Sequence, residues 1–478
     1  MSGRPALADG LVVVVKRECA TCQMVEPLLA RFAATFYTQD DPAFPATVTA
    51  IHDEDLAVSW HYAIETVPTL LRVVDGAEVE RTEGWLRADW QRITGIADLG
   101  GDLPVMRPGC GSLSVDPDLA DELRARFSGD VLRSRRIEIA DAEDEFEAMF
   151  ARGISDGLPV VPPTPERVLR MLTGTTRDPG EVVAVVAPDL VAVTVEKVAI
   201  NAVMAGCLPE YFPWVLAAVE AVCNEQFNMH GVLCTTMPVG PVVVCNGPGA
   251  AAIGLNGASN ALGQGTRANM TIGRAVQLVV RNVGGGRPGV GGIDRATHGN
   301  PGKIGLCFAE REHDSPFSSL AVSRGVDPGA NAVTVFAGEG PRCVVDQKAR
   351  TPEQLIAIFA SELLHVHTPK MAMAFDAMLV VGPEHARIFA DAGWDRARVH
   401  GELLARCAKP GAAWMPGVDG IADGMPEFLA EAPSLPKFRP DGLLIVHAGG
   451  DAGLFSAIIG GWAGGAMGSE PVTTVVTS

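Results

Sequence analysis

One stretch near the start of the chain constrains its folding more than any other: VVVVKRECATCQMVEPLLARF, residues 12–32. The β-branched run Leu11 to Val15 is short enough for a buried strand of a mostly parallel sheet. After a polar break, Met24, Val25, Leu28, Leu29 and Phe32 recur at helical spacing. Cys19 and Cys22 stand between strand and helix, so both thiols fall at a helix start. There the partial positive charge and free N–H groups stabilise a thiolate at Cys19. Cys22, one turn later, is placed to resolve a mixed disulfide formed on Cys19. The competing reading is half of a structural zinc site or a pair of buried thiols. A zinc site needs a second pair of ligands, no second C-x-x-C exists, and His52 and His61 are poorly spaced for one.

Downstream, IETVPTLLRVVDGAEVERTEG supplies Thr66-Val67-Pro68-Thr69, a strand, an Asp75-Gly76 hairpin turn and a second strand. In order and spacing, residues 1–98 resemble the thioredoxin family. That resemblance implies a thioredoxin-like domain; the expected cofactor is none beyond a redox-active Cys19–Cys22 disulfide, with any metal left open. It also implies a cis Pro68 facing the cysteines, and an external thiol reductant or a donor of the thioredoxin reductase type. Ala20-Thr21 stands where the family usually has Gly-Pro, which leaves the reduction potential open.

Residues 99–140 are rich in Gly, Pro and Asp and read as a connector. Within it Cys110 lies in a Pro-Gly-Cys-Gly-Ser turn, where a thiol is accessible and placed to exchange with Cys19 as a relay; the plainer reading is that it fills a turn. Residues 141–478 then read as a large α/β domain. Three segments there share an apolar strand, a glycine turn and small residues at helical spacing: GPVVVCNGPGAAAIGLN, FDAMLVVGPEHARIFADAGW and DGLLIVHAGGDAGLFSAIIGGW. They suggest repeated β–turn–α units, possible in two halves, with ligands at the carboxyl ends of strands. None is a dinucleotide fingerprint or a Walker loop, so a nucleotide site is unsupported.

Polar residues crowd between glycines from Asn256 to Asn282 and on to Ser315. From these we expect a small-molecule pocket with Asn246, Arg267, Asn269, Thr271, Arg274 and Asn282 binding substrate. His230 is expected as a general acid or base, Cys234 and Glu310 as further catalytic groups, and Cys207 as a supporting thiol. Asn and Gly are also plain turn formers, and single cysteines are commonly buried hydrophobes.

Three phrases, DGLPVVPPTPERVLRML, VEKVAINAVMAGCLPEYFPWVLAAVEA and RANMTIGRAVQLVVRNVGG, resemble a bacterial family of largely uncharacterised proteins found near small selenoproteins with a Sec-Gly-Ser-Cys motif. The resemblance implies thiol- or selenol-linked chemistry and no defined reaction. With 53 Gly, 34 Pro and 20 % charged residues in 478, the expected class is α/β: the thioredoxin-like domain, then a Gly-rich domain with a mainly parallel sheet. A net charge of −19 argues against nucleic acid and anionic lipid. No signal peptide or membrane span is expected, and ten cysteines without a secretory signal read as reduced thiols in a cytoplasm.

The leading functional expectation is therefore a thiol-dependent redox enzyme in which the N-terminal dithiol supplies electrons to a pocket for a small polar or anionic substrate. Two alternatives stand beside it. One is a metal-dependent lyase or hydrolase, with His365 and His367 on one side of a strand and His313 as a further ligand. The other is a non-catalytic redox-sensing or binding protein. A homo-oligomer with two-fold symmetry is expected from the high apolar content and the β-branched tail beyond Trp462.

Overall fold

The computed structural model describes residues 4–116, 119–127, 132–135, 144–289, 291–414 and 426–477. The chain divides into two compact units. Residues through Arg133, with Pro165–Leu169, form one; Ser134–Thr164 and the residues from Arg170 onward form the other.

The first unit runs β1 (Gly10–Val15), α1 (Ala20–Leu29), β2 (Thr35–Thr38), β3 (Ala50–His52), α2 (Ala57–His61), β4 (Thr66–Val67), β5 (Thr69–Val74), β6 (Ala77–Glu83), β7 (Trp85–Leu86), α3 (Arg87–Thr94), β8 (Met106–Arg107), β9 (Cys110–Gly111) and α4 (Ala120–Phe127). Its sheet has the order β3-β2-β1-β5-β6. β1 lies at the centre, parallel to β2 and antiparallel to β5, which accounts for the complete burial of Val12 to Val15. The Asp75-Gly76 turn joins β5 to β6 with φ of 51° and 72°, as the two-residue hairpin spacing predicts.

The start of the expected connector is built into this unit. Leu99 is fully buried in its core, β8 pairs with β7, and β9 pairs with β4. The expected boundary near residue 140 lies outside the described residues.

The second unit continues with α5 (Glu145–Ala151), α6 (Pro165–Leu172, its first five residues counted with the first unit), β10 (Val182–Val186), β11 (Val191–Thr194), α7 (Val195–Ala205), α8 (Phe212–Val222) and α9 (Met229–Cys234). Next come β12 (Gly240–Asn246), α10 (Pro248–Ala252), α11 (Arg267–Asn282), β13 (Leu306–Ala309), α12 (Leu320–Ser323), β14 (Ala332–Gly338) and β15 (Arg342–Val345). The unit ends with α13 (Pro352–Leu364), β16 (Phe375–Val381), α14 (Pro383–Asp391), α15 (Arg396–Arg406), β17 (Ala408–Lys409), β18 (Leu435–Pro436), β19 (Leu443–His447), β20 (Phe455–Ala463) and β21 (Val472–Val475).

Its eight-stranded sheet is mixed, which corrects the expectation of a mainly parallel one. The order is β13-β12-β14-β20-β16-β19, with β15 on β20 and β21 on β14. Only β12–β13 and β16–β19 are parallel pairs. The third expected β–turn–α unit is a strand, a glycine turn and a second strand, because β-branched and aromatic residues (Ile458, Ile459, Trp462) favour an extended β20 over a helix.

The two remaining units belong to a repeat. In each half a central strand (β12 or β16) ends in Gly-Pro and enters a helix. A second helix follows, then a strand parallel to the central one, then a strand antiparallel to it. The last strands are exchanged: β15 follows β14 but pairs with β20, and β21 follows β20 but pairs with β14. The tail expected to dock on a neighbouring molecule pairs along β14 of its own chain.

The sheet curls until its two ends meet. Leu306 and Phe308 of β13 share one core with Leu444 and Val446 of β19. The Arg311 N–H donates to the His447 carbonyl at 2.8 Å. Glu310, with a side chain 1 % exposed, ties the junction together. Its carboxylate accepts from Asn246 Nδ2 (2.7 Å), Arg396 Nη2 (2.7 Å), and the N–H groups of Leu320 (2.5 Å) and His447 (3.3 Å). Arg396→Leu leaves that carboxylate buried and uncompensated. It should cost about 3–5 kcal/mol in urea unfolding of the full chain.

Candidate functional site

The first site is assembled where β1 hands over to α1. Asp40 accepts the N–H groups of Arg17 (2.7 Å) and Glu18 (2.9 Å), which fixes the polar break ahead of Cys19. Cys19 is the N-cap of α1, and its Sγ accepts the N–H of Cys22 at 3.2 Å. The thiol form of Cys19 donates to the carbonyl of Val67 at 3.3 Å, and the Val67–Pro68 peptide is cis. Cys19, Cys22 and Pro68 therefore gather at one point, with Cys19 and Cys22 fully buried.

A strap made of β8, β9 and the turn between them covers this point. Thr21 Oγ1 donates to the Pro108 carbonyl at 2.6 Å, and Cys110 sits directly opposite Val67 in the β4–β9 pair. Cys110 packs against the core that holds Cys19 and Cys22, and its side chain helps to lower the Cys19 pKa. The strap approaches so closely that a Cβ on Gly109 would stand 2.3 Å from Thr66 Cγ2 and 2.7 Å from the Val67 oxygen. Opposite it, Gly84 has a φ of +69°, and a Cβ there would lie 2.7 Å from the Gly109 nitrogen.

The three thiols differ in acidity. The Cys22 side chain donates to Cys19 and, with help from Cys110 and the helix N–H groups, holds the Cys19 thiol far down, from 9.0 to about 5, against the opposing effect of burial. Burial, then the Cys19 thiolate, pushes Cys22 well up, so it stays protonated and donates. Burial and Cys19 also push Cys110 up. The thiolate ultraviolet absorbance of the reduced chain should accordingly fall as pH drops through about 5, and this step should be missing in Cys19→Ser. Gly109→Ala should cost the strap about 1–3 kcal/mol by overpacking. Iodoacetamide alkylation of Cys19 should then run about 5- to 100-fold faster through the loosened strap.

In the second unit, the residues expected to form one pocket do not converge. Arg274 grips Asp156 through two bonds (2.9 and 2.7 Å) and also donates to the Leu158 and Pro159 carbonyls. Arg267 donates to the Gly206 carbonyl, and Thr271 to the Arg267 carbonyl. Asn269 both accepts from and donates to the backbone of Asn256, and Asn282 donates to Asn201. Asn246 is bound to Glu310 and Glu312, and Glu310 belongs to the sheet junction. These side chains hold segments in place. His230 and Cys234 are exposed on α9. Cys207 is buried beside Thr271, and burial pushes its thiol up to about 12.

The histidine set is also dispersed. His365 caps the end of α13 and bonds the Ser361 carbonyl, while His367 has a φ of 57° in a turn and bonds the Gly461 carbonyl. Neither lies on a strand, because α13 runs up to Leu364. His313 is exposed beside Asp314. Among the described residues no three His, Cys, Asp or Glu side chains are grouped to hold a metal ion.

A cavity of about 550 Å³ lies elsewhere in this unit, lined by Gln277 and Arg281 of α11, by Met229, Val232 and Leu233 of α9, and by His298, Asn300 and Lys303. Lys303 is paired with Asp294 at 2.6 Å, and Asp156 with Arg274. Arg281 has no carboxylate partner among the described residues, and its buried Nε has no hydrogen-bond partner. Burial, then the neighbouring Arg287, lowers its pKa, against the opposing pull of Asp156, which is itself paired with Arg274. Gln277 Nε2 is likewise buried and unbonded. Both residues fall on the polar stripe of α11 that runs Arg267, Thr271, Arg274, Gln277 and Arg281 at helical spacing. Compared with known protein families, curated proteins and solved structures, the chain has no match.

Proposed function

We propose that the chain is a thiol-dependent redox enzyme. Its first unit acts as a thioredoxin-like dithiol module, and its second unit takes a small anionic substrate in the Arg281 cavity. The observation that carries the reading is Cys19 at the N-cap of α1, its Sγ accepting the Cys22 N–H at 3.2 Å, an arrangement that raises its acidity beside a protonated Cys22. A thiolate is the nucleophile in thiol–disulfide exchange, and a neighbouring thiol is what releases the mixed disulfide. The sheet order around β1 and the cis Val67–Pro68 peptide against Cys19 support the thioredoxin-like part.

In this reading an external thiol donor reduces the Cys19–Cys22 disulfide, and the dithiol passes two electrons to a substrate disulfide or to a turnover in the second unit. No cofactor beyond the cysteine pair is called for. Linkage in one chain keeps donor and acceptor at effective concentrations of order millimolar for a flexible tether. The full chain should reduce oxidised glutathione with a thiol donor present, and Cys19→Ser should abolish this. Retention of the activity in Cys19→Ser would reject the dithiol reading.

The cavity is tested separately. A half-buried guanidinium whose buried Nε has no hydrogen-bond partner favours carboxylate or phosphate, which it meets with charge-assisted hydrogen bonds. Calorimetry should show binding of phosphate or small dicarboxylates to the full chain. Arg281→Gln should weaken it by about 10- to 100-fold, the loss of one charged hydrogen bond of about 1.5–3 kcal/mol.

A further inference from the structure

Three cysteines pack together at the start of α1, and the order in which they exchange has been set for two of them. Cys110 is the third. Its neighbour Gly109 allows the backbone of the strap to lie close on β4, and Cys110 pairs with Val67, the residue whose carbonyl touches Cys19 Sγ. The Cys110 side chain is half-buried at the rim of the strap, whereas Cys22 is fully buried beneath Cys19. A disulfide approaching Cys19 from solvent therefore meets Cys110 before Cys22.

We propose that Cys110 is a third redox thiol, which resolves the mixed disulfide on Cys19 before Cys22 takes its place. Cys110 takes this part only if Cys19 is the attacking thiol, as proposed above. In the first step the Cys19 thiolate attacks a low-molecular-weight disulfide R–S–S–R; a Cys19–S–S–R bond forms and RS⁻ leaves. Cys110 then gives its proton to that RS⁻ and attacks the Cys19 sulfur. A Cys19–Cys110 disulfide forms and the second RS⁻ leaves, to be protonated by solvent. Finally Cys22 attacks the Cys19 sulfur, its proton passing to the departing Cys110 sulfur. Two thiols have become the Cys19–Cys22 disulfide, and R–S–S–R has become two RSH. Cys110 fits the middle step because it is half-buried against the core that holds Cys19, whereas Cys22 is fully buried.

The test uses the full chain with its exposed thiols removed (Cys234→Ser, Cys343→Ser). Reduced protein is mixed with oxidised glutathione, quenched in acid and mapped by mass spectrometry. Cys22→Ser should release both glutathione equivalents and yield a Cys19–Cys110 cross-linked peptide. The Cys22→Ser/Cys110→Ser variant should stall with one glutathione on Cys19, and Cys110→Ser should resolve about 10-fold more slowly than the parent, the scale of a modest change in attacking thiolate fraction. A Cys22→Ser variant that stalls as the double variant does, or a Cys110→Ser variant that resolves at the parent rate, overturns the proposal. If Cys22→Ser does not fold, the parent sampled through time decides: a Cys19–Cys110 peptide that precedes Cys19–Cys22 supports it, and the absence of that peptide at every time overturns it. Failure of the underlying dithiol reading looks different, since no glutathione would then reach Cys19 in any variant.

Discussion

The hydrogen bond from the Cys22 N–H to Cys19 Sγ depends on everything around it. It exists because β1 is buried on both faces at the centre of its sheet, so that the chain leaves the sheet at one fixed place and turns at once into α1. Asp40 pins the intervening break from one side. The Thr66–Pro68 segment presses the Val67 carbonyl from the other. Small shifts in any of these would separate the thiolate from the helix N–H groups that stabilise it, and the acidity of Cys19 would drift back toward that of an ordinary thiol. The strap adds a third boundary. It shields the sulfur from solvent and supplies a second thiol donor, which is why burial and a low thiol pKa coexist here.

The second unit is organised by a different constraint. A curled eight-stranded sheet brings distant strands together, and the buried Glu310 carboxylate satisfies donors from β12, α12, β19 and α15 at once. Such a network is costly to break and specifies one arrangement. The repeat of strand, Gly-Pro, helix, helix, parallel strand and antiparallel strand gives both halves the same local geometry. The ends of the halves differ: Ala309 of β13 is followed by Glu310, whereas His447 of β19 is followed by Ala448-Gly449-Gly450.

The parts legible in the sequence are those set by local pattern. The β1–Cys19–Cys22–α1 unit, the Asp75-Gly76 hairpin and the two Gly-Pro units follow from short-range spacing and turn chemistry. The strap was not legible, because β7–β8 and β4–β9 are two-residue ladders with no periodicity, held by glycines whose need appears only once their neighbours are in place. The polar stripe of α11 could be read from the chain, but not which of its members face a cavity. Arg274 is spent on Asp156, 118 residues away, and among the described residues that distant pairing leaves Arg281 with a buried, unbonded Nε. The expected parallel sheet failed for a similar reason: apolar strands look alike whichever way their neighbours run.

The account stands or falls on whether Cys19 and Cys22 form a two-electron couple tuned by the Cys19 thiolate. Stabilising the thiolate stabilises the reduced form and makes the disulfide more oxidising. The direct measurement is to equilibrate the full chain with glutathione buffers of graded potential and quantify the Cys19 and Cys22 thiols by mass spectrometry. The structure predicts a single two-electron transition less negative than about −270 mV, abolished by Cys19→Ser. Cysteines that stay as thiols across the whole range, or a transition more negative than that value, would contradict it.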